Sequence, residues 1–130
     1  MKNCMWFILL LSIFACNKED VTCTDINYNK AFTAEVDKKY CIDDENFILI
    51  TNIENALCPC DVVCIWEGEF LIHMTVSADG TLHEYILGSS GQIPRTPTFD
   101  SFRIKFLSIT PDACDSGVQK DYRVGLEIEK

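Results

Sequence analysis

The chain reads as an all-β domain, an antiparallel β-sandwich or partly closed barrel of about seven strands, stapled by disulfides. Three observations predict this. Apolar and polar residues alternate with a period of two in short segments separated by turn formers. No stretch beyond the amino-terminal leader carries a 3.6-residue apolar stripe. An even set of cysteines follows an export signal, as in domains that supplement a small core with disulfides.

The leader comes first. Met1-Lys2-Asn3-Cys4 carries one positive charge, and an apolar run from Met5 to Ala15 follows it. The run is about half of the ~20 residues that cross a bilayer, so residues 1–15 read as a signal peptide rather than a membrane span. Ordinary cleavage wants small side chains at both −3 and −1, and Ile13 occupies −3. After Cys16 the chain turns polar with Asn17-Lys18-Glu19-Asp20. Residues 16–30 read as a polar tether, and residues 31–130 as the folded domain.

Removing the leader from the 130 residues leaves 115, enough for one domain with one real core. Ten basic side chains then face twenty acidic ones, a net charge of −10. Such a surface repels phosphate backbones and anionic headgroups, which argues against nucleic acid as a partner. Of the eight cysteines, Cys4 leaves with the leader and Cys16 begins the mature chain. Cys23, Cys41, Cys58, Cys60, Cys64 and Cys114 remain, enough for three bridges in any of 15 pairings.

The strands follow in order. Phe32, Ala34 and Val36 alternate with Thr33, Glu35 and Asp37. Residues 47–53 are apolar at successive positions, as a central strand covered on both faces would be. From Trp66 onward Phe70, Ile72, Met74 and Val76 form one apolar face. Ala78-Asp79-Gly80 is a hairpin turn signal leading into Thr81–Leu87. Phe102, Ile104 and Phe106, then Tyr122, Val124, Leu126 and Ile128, supply the closing strands. Two long connections, 54–63 and 88–101, stand out, because loops near a dozen residues are often functional.

The densest motif is Cys58-Pro59-Cys60-Asp61-Val62-Val63-Cys64-Ile65-Trp66-Glu67-Gly68. Three thiols so close suit a soft metal only if reduced, and His73 and His83 lie on later strands. In an exported chain the thiols read instead as a staple that locks the loop to a strand. Trp66 is then expected as a core aromatic against the bridge, and Gly68 as a bulge or close backbone approach. No metal and no other cofactor is expected.

Catalytic groups are scarce. Ser89, Ser90 and Ser101 lack a nucleophile elbow. His83 and Glu84 are adjacent on a strand and point to opposite faces. Asp43-Asp44-Glu45 and Asp112…Asp115 lack the spacing of a calcium loop and read as solvated surface. The chain is therefore not expected to be an enzyme. Its expected role is a non-catalytic binding or adhesion module with an unidentified protein or glycan partner. The alternatives are a peptidase inhibitor presenting a rigid loop, or a structural envelope protein. If the strands run as a meander, both long loops emerge at one end, and Ile93, Arg95 and Phe99 on the second are the expected contact residues.

Three resemblances add to this reading. Ile13-Phe14-Ala15-Cys16 resembles a lipobox, which implies cleavage before Cys16 and a diacylglycerol on its thiol, anchoring the protein in the bacterial outer membrane. The bulky Phe14 departs from the usual small residue. Lys18-Glu19-Asp20 resembles the signal with which lipoproteins of the Bacteroidota reach the cell surface. Finally, Cys58, Pro59, Val62, Cys64, Trp66 and Gly68 match the signature Arg-Cys-Pro-x-x-Val-x-Cys-x-Trp-x-Gly of a largely uncharacterised family of bacterial exported lipoproteins. Leu57 replaces its arginine, and Cys60 is an extra cysteine. This resemblance implies a Cys58–Cys64 bridge and an all-β domain, and nothing about a ligand. Strand order then suggests Cys41–Cys114 and Cys23–Cys60 for the other bridges.

Overall fold

The computed structural model describes residues 22–90, 96–110 and 121–130. The leader, Cys16, Lys18-Glu19-Asp20, Ile93, Arg95, Asp112, Cys114 and Asp115 lie outside them. Among the described residues there are eight strands and no α-helix. They are β1 (Thr24–Asp25), β2 (Ala31–Ala34), β3 (Lys39–Cys41), β4 (Phe47–Leu57), β5 (Gly68–Ala78), β6 (Thr81–Gly88), β7 (Arg103–Thr110) and β8 (Arg123–Glu129). Five form one sheet in the order β1-β3-β4-β5-β6, and three form a second in the order β2-β8-β7. The two sheets make an open sandwich, not a closed barrel. All pairings are antiparallel except β1 with β3.

Period-two patterning builds the core directly, since alternate side chains of a strand share a face. Phe70, Ile72, Met74 and Val76 of β5 are buried, as are Ile104 and Phe106 of β7 and Val124, Leu126 and Ile128 of β8. The run at 47–53 extends to Leu57, and β4 is the middle strand of its sheet as expected, but only one of its faces is covered. Ile48, Ile50 and Ile53 are buried, whereas Phe47 and Leu49 are half-buried and Thr51 is exposed. Aromatic pairs join the layers. Phe32 meets Tyr40 with ring centroids 5.3 Å apart, and Phe70 meets Tyr122 edge-on at 5.2 Å.

The fold begins earlier than the expected boundary at residue 31. Thr24–Asp25 pairs with Tyr40–Cys41, and Ile26 is buried. Both β1 and β3 escape the sequence patterning because two- and three-residue strands carry no readable period.

Cys23 bridges Cys41, with Cα atoms 5.8 Å apart. This replaces both the Cys41–Cys114 and the Cys23–Cys60 pairings suggested by strand order. The short parallel strand β1, unseen in the sequence, lays Cys23 beside the end of β3. The Cys58–Cys64 bridge is present as expected.

Register places the two ends of the sandwich. Thr24 pairs with Tyr40, and Tyr40 with Ile48. At the other end, Leu57 pairs with Gly68 and Leu71 with Gly88. Nine residues of β4 separate Ile48 from Leu57, about 30 Å at ~3.3 Å per residue. The chain therefore enters the fold at the end opposite the β4–β5 loop.

A polar latch closes the entering end. In the β3–β4 turn, Asp43 Oδ1 accepts hydrogen bonds from the backbone N–H groups of Glu45 and Asn46, at 3.0 and 2.8 Å. Its Oδ2 accepts from the Asn46 amide at 2.8 Å. Asn46 is buried, and its Oδ1 accepts from the backbone of Asp79 in the β5–β6 hairpin. Asp43 is thus a turn-forming residue rather than plain solvated surface. The Asn46 side-chain hydrogen bond, with backbone N–H groups and Tyr28 adding to it, holds its carboxyl below the ordinary value. A lowered folded pKa contributes stability above the unfolded value, about 4, and this is lost as pH falls through the folded value. Replacing Asp43 with Asn removes that titration. The variant should lose thermal stability less steeply than the native protein below pH ~4, as measured by melting between pH 2 and 6.

Candidate functional site

The β4–β5 connection, residues 58–67, is the feature that the core does not absorb. At its base the Cys58 N–H donates to the Glu67 carbonyl at 2.8 Å, closing the loop like a hairpin. The Val62 N–H donates to the Pro59 carbonyl at 3.2 Å, forming a turn within it. The Cys58–Cys64 bridge cinches six residues of separation. Cys60 is disulfide-bonded as well, so all three thiols of the loop are oxidised. A thiolate metal site there is accordingly ruled out by covalent chemistry.

Gly68 explains how the loop joins the sheet. Its φ is +75°, and a Cβ there would fall 2.0 Å from the Ala56 carbonyl oxygen and 2.8 Å from the Leu57 Cα. The close backbone approach expected of a strand glycine is present. Behind it, buried Glu69 accepts hydrogen bonds from the Ser90 N–H and hydroxyl at 3.1 and 3.0 Å. Ser89 Oγ accepts from the Phe70 N–H at 2.9 Å. Together they tie the start of the 88–101 connection to the root of the loop. These serines are structural partners of β5.

What the loop presents is apolar. Val63 and Ile65 are fully exposed, at 101% and 104%, and Val62 and Trp66 are more than half exposed. The expectation that Trp66 packs in the core is therefore corrected. Its strand begins only at Gly68, so the period-two phase that buries Phe70 does not extend back to residue 66. Most solitary exposed apolar side chains need no explanation, but four within five residues on a braced loop form a contact patch. Asp61 and Glu67 flank it, both exposed. The sequence carried this site only as a motif; the exposure of its apolar side chains was not readable there.

The second expected loop divides. Both long connections do start at the same end, Leu57 and Gly88 lying at the tip end of their strands, but Phe99 lies at the other. The Phe99 ring lies 5.4 Å from His83 and 5.2 Å from Phe102, half-buried against the core. His83 pairs with Val76 near the entering end. Phe99 therefore packs the connection between the sheets, far from the stapled tip.

His83 and Glu84 do take opposite faces, Glu84 lining an outer-face cavity of about 490 Å³ with Thr51, His73 and Ile86. His73 Nε2 lies 3.6 Å from a Glu54 carboxylate oxygen. The Thr51 hydroxyl donates to the His73 backbone carbonyl at 3.2 Å, not to a side-chain base. Among the described residues, no cluster of His, Cys, Asp or Glu could hold a metal. No protein family, curated protein or solved structure matches the chain.

Proposed function

We propose that the protein is a non-catalytic binding module of the bacterial envelope, exported, held in the outer membrane by lipid on Cys16, and engaging a partner protein through its stapled tip. The observation that carries this is the patch Val62, Val63, Ile65 and Trp66, exposed on a loop braced by disulfides. Bracing lowers the entropic cost of ordering a loop on binding. Three of the four side chains are aliphatic and offer nothing to sugar hydroxyls, which favours a protein over a glycan even with Trp66 beside them. Oxidised cysteines suit an extracytoplasmic compartment. The chain enters at the far end, about 30 Å from the loop, so a lipid on Cys16 leaves the tip directed outward. Two acyl chains meet what stable anchoring requires, and a third exceeds it.

The test uses a photo-crosslinking side chain at position 65 of the full-length protein in intact cells. It should trap one predominant partner, and Trp66→Ala should weaken binding of that partner by about 2 kcal/mol. Because Trp66 is largely exposed, its melting temperature should stay within about two degrees. Cys16→Ala should move the protein from the membrane to the soluble fraction. A tip that traps nothing, or a folded Trp66→Ala protein with undiminished capture, refutes the contact site.

A further inference from the structure

Resting on that reading, we infer that the partner is a peptidase, and that the tip enters its cleft as a substrate-like inhibitor with Val63 in a small apolar primary pocket. Three features of the loop point there. Val63 and Ile65 stand clear of the fold on both sides of Cys64, so a cleft can surround this segment without displacing any core contact. The turn at Cys60–Asp61 and the bends at Val62, Ile65 and Trp66 leave Val63 and Cys64 at the outer edge of the loop, and none of residues 58–67 has left-handed backbone. Most tellingly, the Val63–Cys64 peptide bond lies inside the covalent ring closed by Cys58–Cys64.

That ring decides the chemistry. A serine peptidase attacks the Val63 carbonyl carbon, and the Cys64 amine leaves carrying a proton. The carboxyl-side fragment cannot diffuse away, because Cys64 stays joined through its sulfur to Cys58, and Cys60 is bonded too. The tethered amine returns at high effective concentration, displaces the serine oxygen from the acyl group and restores the peptide bond. The proton passes back to the serine. Hydrolysis is thereby disfavoured and the complex persists. The Ile65–Trp66 bond lies outside the ring and lacks this protection, and within the ring Val63 is fully exposed whereas Val62 is only half so, which leaves Val63 as the primary-pocket residue. Exposed Asp61 and Glu67 beside the tip, in a chain of net charge −9, select a peptidase with a cationic cleft rim.

The experiment measures inhibition of an elastase-type and a trypsin-type serine peptidase by the detergent-solubilised full-length protein. The native protein should inhibit the first, and Val63→Arg should transfer inhibition to the second by about 100-fold or more. Its exposure lets residue 63 change without unfolding, which a melting curve verifies. Cys58→Ala/Cys64→Ala should turn the loop from inhibitor to cleaved substrate. Steady cleavage of the native loop at Val63, or no inhibition by either folded protein, overturns the inference. If crosslinking at position 65 nevertheless traps a non-peptidase partner, the binding-module reading survives and only the peptidase assignment falls.

Discussion

Gly68→Ala should lower the melting temperature of this protein by roughly 10–25 °C. Two penalties coincide at the position. A left-handed φ of +75° costs any L-side chain about 1–2 kcal/mol. A Cβ 2.0 Å from the Ala56 carbonyl oxygen must also push apart backbone, which cannot rotate away as a side chain can. Overpacking of this kind costs about 1–3 kcal/mol, giving a sum of about 2–5 kcal/mol. At about 5 °C per kcal/mol for a domain of this size, that is roughly 10–25 °C. Gly80 is the internal control. Its φ is +77°, yet nothing lies within 4 Å of its would-be Cβ. Gly80→Ala should therefore show only the conformational penalty. Equal melting shifts for the two variants would mean that contact with β4 contributes nothing at Gly68.

Removing the Cys23–Cys41 bridge should destabilise the fold by about 3 kcal/mol, from a loop-entropy relation applied to its sequence separation of 18. The tertiary setting adds to this. Strand β1 contributes only Thr24 and Asp25 to the ladder, so without the bridge little holds the amino-terminal end to β3. Buried Ile26 would then lose its cover. Cys23→Ala/Cys41→Ala should accordingly gain an early proteolytic cut near residues 23–30 as well as a lower melting temperature. Cys58→Ala/Cys64→Ala opens a smaller ring outside the core and should cost about 2 kcal/mol or less. Calorimetry of the two double variants gives the order, and a larger loss at the tip would contradict this account.

The two variants separate the two jobs of disulfides here. One bridge fastens a marginal strand near the point where the chain enters. The other shapes a loop that buries almost nothing. Only the second should alter partner capture when the fold remains intact.

The alternation of Phe70, Ile72, Met74 and Val76, and of Tyr122, Val124, Leu126 and Ile128, determined by itself that the chain is all-β and which faces are buried. A period of two has one structural meaning when one face must leave water. Asp79-Gly80 likewise determined its hairpin, because positive φ at successive residues is a local demand; both have it, at 52° and 77°. Gly68 could be read as a close approach, since a glycine inside a strand has few other reasons. Tertiary structure alone decided the rest. The Cys23–Cys41 pairing depends on a two-residue strand held in place by its neighbour, not by its own pattern. Phe99 was drawn into packing by His83 on β6, a residue that no local window around position 99 contains. Trp66 is exposed because β5 begins two residues after it, and hydrophobicity states a preference for burial but not whether a partner surface exists. The tip became a candidate site for that reason: its apolar side chains find no place in the core of their own chain.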